Sequence, residues 1–167
     1  IANKDKYAEA IKEIKIDCKQ SGLVTEKIYL DKFLYSMLPL TLYFDNDRPR
    51  PNGKPSYTNL SYSQTFGAYY LRKSIFKKKY ALLFGKDELV SRQQEMDSFF
   101  EIDVKGGKEK LDLFVSKMAT ELAEGKRYIV YIKGYASPLA SDDYNKILGQ
   151  RRIQSVRNEF ARYNNGI

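Results

Sequence analysis

The chain has 167 residues, of which 43% are apolar, and its 29 lysines and arginines outnumber its 21 acidic residues to give a net charge of +8. Because it contains no histidine and a single cysteine, Cys18, the sequence excludes an internal disulfide, Ser/His/Asp triads, Cys/His nucleophile pairs and most metal sites. The excess of positive charge favours an acidic partner, such as nucleic acid, an anionic lipid or a carboxylate-bearing polymer.

The sequence shows neither a membrane span nor a signal peptide. No stretch approaches about eighteen uninterrupted apolar residues, and the first twenty residues are charged throughout instead of a basic start followed by an apolar segment. Because the chain begins at Ile1 without a methionine, we expect it to be a fragment of a longer polypeptide.

The N-terminal part predicts a short helix followed by a buried strand. Helical spacing of Tyr7, Ile11 and Ile14 predicts an amphipathic helix within residues 3–16, as part of an N-terminal extension over residues 1–37 that packs on the main body. The segment Leu40–Phe44 is apolar and rich in residues that favour strands. A loop with three prolines follows it at 48–55.

The middle of the chain predicts two helices. Residues 61–84 carry aromatic side chains largely on one helical side, with lysines and arginine between them, and a second helix is predicted over 87–100. Aromatic rings interleaved with basic residues can stack on single-stranded nucleic acid, but a face buried against the core explains the same spacing, and we favour burial. The aromatic residues concerned are Tyr62, Phe66, Tyr69, Phe76 and Tyr80.

Beyond Gly106 and Gly107, which are expected to break the chain, lies the clearest helical pattern. Apolar residues recur at i, i+3, i+4, i+7 and i+11 from Leu111 to Leu122, and Gly125 is expected to end the helix in the C′ position. The segment 127–134, rich in β-branched and aromatic residues, predicts a second strand.

The last predicted helix begins at Ser141, a favourable N-cap residue, and sets a charge into an apolar stripe. Leu148, Val156 and Phe160 share one face, and Arg152 lies midway along it. An arginine there either extends its head to water or has a partner in a pocket. The order of elements predicts a two-layer α/β sandwich, with helices on one face of a mixed sheet and a further edge strand missing after residue 167.

Three segments of this pattern resemble the OmpA C-terminal-like domain, the peptidoglycan-binding module of bacterial envelope proteins. That family carries a strand ending in Phe-Asp-x-Asp/Asn, a strand leading to Gly-x-Thr-Asp, and a helix opening with Tyr-Asn-x-x-Leu-Ser-x-x-Arg-Ala-x-x-Val. The corresponding segments here are 44–47, 134–137 and 144–156. The resemblance covers residues 38–167, with a helical insertion at about 51–106. Within the family, the chain is most similar to the OmpA-like domains of Bacteroidetes envelope proteins, including a component of type IX secretion.

The resemblance implies a set of binding residues. In the family, the helix arginine pairs with a carboxylate of diaminopimelate in the peptidoglycan stem peptide, and this role falls on Arg152. The polar residue at the strand end falls on Asp47, while Asn145 is expected to brace the loop or touch the ligand. The full set is Arg152, Asp47, Asn46, Asp45, Ser137, Ala136, Asn145 and Leu148.

One departure from the family pattern leaves two interpretations open. The aspartate of Gly-x-Thr-Asp, which receives the ammonium of the ligand, is Ser137 here, and the threonine is Ala136. Either Asp47 or Asp45 receives the ammonium instead, or the pocket is vestigial and the domain serves as a structural or protein-interaction module, with the insertion docking a partner. We favour retained binding, because an arginine without a partner on an apolar stripe is costly.

The resemblance also implies a cellular setting. The expected partners are peptidoglycan and other proteins of an envelope or secretion assembly, in the periplasm and associated with the outer membrane and cell wall. We expect no enzymatic activity and no cofactor, because the paired acids Asp45 and Asp47 have no opposed carboxylate for acid/base work on a glycan. Nucleic-acid binding rests only on the basic charge and the interleaved aromatic residues, and we do not expect it.

Overall fold

The computed structural model describes residues 32–137 and 140–163. The N-terminal helix expected within residues 3–16 and the start of a further strand after residue 163 lie outside this range. By its internal contacts the chain divides into two units, residues 1–30 and residues 31–167, and everything described below belongs to the second unit.

The described residues form helices joined by irregular segments. Helix α1 spans Lys32–Ser36, α2 spans Tyr62–Tyr70 and α3 spans Lys73–Ala81. After a short 3₁₀ turn at Lys86–Glu88, α4 (Leu89–Ser98) continues through a π-helical stretch (Phe99–Lys105) into α5 (Gly106–Ala123). Helix α6 spans Asp142–Arg162. None of the described helices is both long enough and apolar enough to cross a bilayer.

The predicted α/β sandwich with a mixed sheet is wrong, because the described residues contain no strand. Both segments predicted as strands, 40–44 and 127–134, are irregular and form no backbone ladder. Strand-favouring residues describe a side-chain environment, and a strand forms only when a second chain segment pairs with it. The sequence shows strand-favouring side chains in both segments, but the two segments do not pair with each other.

Three apolar clusters hold the helices together. The first contains Tyr62, Leu111, Val115 and Val156 and joins α2, α5 and α6. The second joins α1 to α5 through Leu34, Phe114 and Met118. The third lies inside the insertion, where Tyr69 packs against Phe100 and Val104 of the π-helical stretch. The predicted burial of the aromatic residues in the insertion is therefore confirmed for Tyr62 and Tyr69, which are 0% and 7% exposed.

The ends of the last two helices follow the sequence prediction. Gly125 adopts a φ of 87° at the C′ position of α5, and its N–H donates to the carbonyl of Leu122. The Ser141 hydroxyl accepts a hydrogen bond from the N–H of Tyr144 and caps α6. The predicted break at Gly106 and Gly107 is wrong, since the helical chain runs through both glycines.

Gly107 lies in the helix because another segment of the chain packs against it too closely for a side chain. A side chain at Gly107 would place its Cβ 2.7 Å from the carbonyl oxygen of Thr41. The segment 38–44 therefore lies directly against α5, and the packing gained there outweighs the low helix propensity of glycine. The predicted single helix over 61–84 is likewise divided into α2 and α3 at Leu71 and Arg72.

Candidate functional site

Helix α6 presents its predicted apolar face to the interior. Leu148 and Val156 are each 6% exposed, and the ring of Phe160 packs edge-on against Phe114 at 6.4 Å between centroids. Arg152 lies between them, half-buried, as its spacing predicts. Its guanidinium Cζ stands 5.5 Å from the centroid of the Phe44 ring.

Three backbone carbonyls hold the guanidinium of Arg152. Its Nε donates to the carbonyl of Arg48 at 3.1 Å, Nη1 to that of Tyr135 at 2.6 Å, and Nη2 to that of Asp45 at 3.3 Å. Arginine carries five N–H donors, so one donor on each terminal nitrogen remains without a protein acceptor. Among the described residues, no carboxylate forms an ion pair with Arg152. Burial lowers the pKa of this guanidinium, and the negative charge of Asp47 partly opposes that shift.

The neighbouring Arg151 is the arginine that is completely buried, with 0% of its surface exposed. Its Nη1 donates to the carbonyls of Arg50 at 2.6 Å and Gly53 at 2.8 Å, and its Nη2 donates to the hydroxyl of Tyr144 at 3.2 Å. A side chain at Gly53 would collide with the same guanidinium, so the loop requires glycine there. Sequence reasoning placed no role on this residue.

The proline-rich loop is held by hydrogen bonds from these two arginines to its backbone carbonyls. Asp47, Arg50 and Asn52 all have left-handed backbones, with φ of 54°, 61° and 52°. Aspartate and asparagine tolerate this conformation, whereas for an arginine it costs of order 1–3 kcal/mol and persists only where surrounding contacts enforce it. Here the enforcing contacts are the hydrogen bonds from Arg151 and Arg152 to loop carbonyls.

Asp47 is ionised and anchored within this loop. Its carboxylate accepts hydrogen bonds from the hydroxyl of Tyr144 and, at 2.7 Å, from the N–H of Asn52, and lies 3.9 Å from Nη2 of Arg151. Burial opposes ionisation of Asp47, but these hydrogen bonds and the charge of Arg151 hold its pKa below the ordinary value. Its side chain remains 26% exposed.

The other predicted polar residues have structural partners or face solvent. Asp45 is 4% exposed and forms an ion pair with Arg72, and its carboxylate also accepts from the N–H of Asn46 at 2.7 Å. Asn46 itself is exposed. The side-chain amide of Asn145 donates to the carbonyl of Ala140 at 3.0 Å and braces the loop before α6.

An open groove of about 830 Å³ runs beside Arg152. Residues 38–44 form one wall, residues 130–137 form the other, and side chains of α5 and α6 form the floor. Of the eight predicted site residues, the groove is lined by Arg152, Ala136 and Ser137. Asp45, Asn46, Asp47, Asn145 and Leu148 do not line it, so the structure brings together only part of the predicted set.

The residues that the prediction missed have a recognisable signal. Together with Leu148, which was predicted, the missed residues Tyr144, Arg151 and Ser155 form a second inward-facing stripe on α6, at successive spacings of four, three and four. Arg151 and Ser155 are both 0% exposed. The stripe carries polar residues, so a search for apolar periodicity passes over it.

The part of the chain that the structure describes contains no group of three or more side chains that could bind a metal ion. Comparison with known proteins adds no relative. No protein-family model, no curated protein and no solved structure matches this chain.

Proposed function

We propose that this chain is a binding module that grips peptidoglycan non-covalently through the diaminopimelate of its stem peptide. In this role it anchors a larger assembly of the periplasm and outer membrane, of the type IX secretion kind, to the cell wall. The observation that carries the proposal is the state of Arg152: its guanidinium lines a groove, retains two N–H donors and has no carboxylate partner among the described residues.

A carboxylate of the ligand fits that guanidinium. Carbonyl dipoles stabilise a positive charge but do not neutralise it, so the net charge of Arg152 remains available to an anion. A charge-assisted hydrogen bond contributes about 1.5–3 kcal/mol where water is excluded. Ser137 lies on the same groove and can add a hydroxyl contact.

The ammonium of diaminopimelate requires a second group. Asp45 already pairs with Arg72, whereas Asp47 is ionised and a quarter exposed. Between the two carboxylates left open by the sequence, Asp47 is therefore the better candidate. Since Asp47 does not line the groove, this contact lies at the loop end of the site.

A pull-down with purified sacculi tests the proposal. We expect Arg152→Ala to lose most of the pelleted protein, while Arg157→Ala, an exposed arginine on the same helix, pellets like the wild type. Because Arg152 also holds loop carbonyls, Ser137→Trp provides a second test that fills the groove from an exposed position. Free diaminopimelate should compete with the sacculi. Equal pelleting of wild type, Arg152→Ala and Ser137→Trp contradicts the proposal.

A second candidate is a protein-interaction module of the same assembly, and one observation favours it. Leu82 and Leu83, at the turn that follows α3 within the insertion, are 75% and 78% exposed. Adjacent leucines exposed to this degree are typical of a contact surface. In this case Leu82→Ser with Leu83→Ser should abolish copurification of the assembly and leave sacculus binding unchanged.

A further inference from the structure

Within the described residues, few backbone groups of the groove walls have a protein partner: the N–H of Leu38 donates to the carbonyl of Tyr35, and the carbonyl of Tyr135 accepts from Arg152. In the described part of the chain, residues 39–44 and 127–134 make no backbone–backbone hydrogen bonds. One carbonyl in these stretches, that of Tyr43, accepts from the hydroxyl of Tyr62 at 3.1 Å. Backbone N–H and C=O groups are strong donors and acceptors, and among the described residues most of those in the two walls have no protein partner, so a ligand can pair with them.

In the wall that contains residues 129–132, the exposure of the side chains alternates from one residue to the next. Ile129 and Tyr131 are 82% and 87% exposed, whereas Val130 is 42% exposed and Ile132 is half-buried; Val130, Tyr131 and Ile132 all line the groove. A period of two is the pattern of an extended chain with one side packed and the other side free. The less exposed side of residues 129–132, which carries Val130 and Ile132, therefore has the spacing of an extended chain.

The charge of the groove selects among ligands. Its floor is apolar and contains Leu111, Phe114 and Val156. Among the described residues, the charged ones that line it are Lys133 and Arg152, both positive, and none is acidic. A partner that complements these walls is extended, places alternate apolar side chains on the floor, and carries a carboxylate near the two cations.

We propose that this groove binds an extended peptide segment of a partner protein, backbone to backbone, with a carboxylate of that segment near Lys133 and Arg152. Main-chain hydrogen bonds then supply affinity, and the pockets for alternate side chains supply selectivity, as in other proteins that capture extended peptides. A lipid tail leaves the backbone groups of both walls unpaired, and a nucleic acid requires more than two cations along its phosphates. This carboxylate uses the same guanidinium as the stem peptide, so the two ligands compete for the groove, but the inference does not depend on stem-peptide binding.

A fluorescent probe peptide tests the inference by titration. The probe is acetyl-Thr-Val-Thr-Val-Thr-Val-Thr-Asp with a C-terminal amide, compared with a form that is N-methylated at alternate residues and a form with lysine in place of aspartate. We expect the wild-type protein to bind the probe, N-methylation to abolish binding, and the lysine form to bind at least about fivefold more weakly, since each nearby cation now repels.

Matched substitutions locate the site on the protein. Val130→Asp places a carboxylate in the apolar groove and should weaken binding by about tenfold or more, while Ile129→Asp, one residue away and 82% exposed, should leave it unchanged. Absence of probe binding, equal effects of the two substitutions, or unchanged affinity for the N-methylated or lysine form overturns the inference. The titration contains no peptidoglycan, so its outcome is separate from that of the sacculus pull-down.

Discussion

Replacement of Arg151 by methionine should destabilise the protein more than replacement of any exposed arginine. Methionine fills much of the volume of the arginine stem but donates no hydrogen bonds. The substitution removes three hydrogen bonds, to the carbonyls of Arg50 and Gly53 and to the hydroxyl of Tyr144. It also leaves Asp47 without its nearest cation.

The expected loss follows from the number of contacts and their burial. A hydrogen bond from a charged group contributes about 1.5–3 kcal/mol, so three of them set an upper range of about 5–9 kcal/mol. Removing the guanidinium also removes the cost of burying it, which is several kcal/mol. Because Asp47 is partly exposed and the loop carbonyls can turn to water, we expect a net loss of about 2–4 kcal/mol in the free energy of unfolding.

Urea unfolding followed by far-ultraviolet circular dichroism measures this loss, since the described residues are largely helical. With a slope of about 2 kcal/mol per molar urea, the midpoint should fall by about 1–2 M. Arg157→Met on the exposed side of α6 is the control and should change stability by less than about 0.5 kcal/mol. If Arg151→Met and Arg157→Met unfold at the same urea concentration, Arg151 does not organise the loop and the assignment is refuted.

Two further predictions concern stability. Gly107→Ala should destabilise the protein by about 1–3 kcal/mol, because the added Cβ meets the carbonyl of Thr41. Gly67→Ala in α2, where the added Cβ meets open space, should stabilise it by about 0.5–1 kcal/mol. Thermal unfolding measures both changes, and a change of the same sign in both variants contradicts the packing argument. Burial opposes ionisation of Glu159, but hydrogen bonds from Ser63 hold its pKa below 4.5. The ionised Glu159 therefore stabilises the fold above about pH 4.5, and this effect is lost as the pH falls through the folded pKa. In urea unfolding, the difference in stability between wild type and Glu159→Gln should shrink on acidification and not grow.

The helices that the sequence predicts best are those whose signals are local. The burial of Leu111, Phe114 and Val115 follows from periodicity, and the ends of α5 and α6 follow from Gly125 and Ser141. A cap or a periodic stripe is formed by residues within a few positions of each other, so the sequence contains all the information that decides it.

The failed predictions concern contacts between distant residues. The segments 40–44 and 127–134 have strand-favouring composition, but a strand depends on a partner that composition does not specify. The helix break predicted at Gly107 failed for a related reason. Glycine lowers helix propensity locally, and the contact with Thr41, far away in the chain, outweighs that preference.

In the candidate site too, the features that depend on local spacing were predictable and those that depend on distant contacts were not. That Arg152 lies on the inward face of α6 was predictable from its spacing to Leu148 and Val156. That three backbone carbonyls hold its guanidinium was not, because two of the acceptors, in Arg48 and Asp45, lie 104 and 107 residues away in sequence. The resemblance assigned the pocket acids from position alone, and could not show that Asp45 would be occupied by Arg72 from the insertion.

The two adjacent arginines explain why a charge remains at the groove. A step of one residue turns the helix by about 100°, so Arg151 and Arg152 reach different parts of the same loop. Arg151 takes the carbonyls of residues 50 and 53 and lies 3.9 Å from Asp47, while Arg152 takes those of residues 45 and 48. The ion pair with Asp47 is therefore formed by Arg151, the arginine that is sealed from solvent. Arg152, which lines the groove, forms no ion pair with any of the described residues.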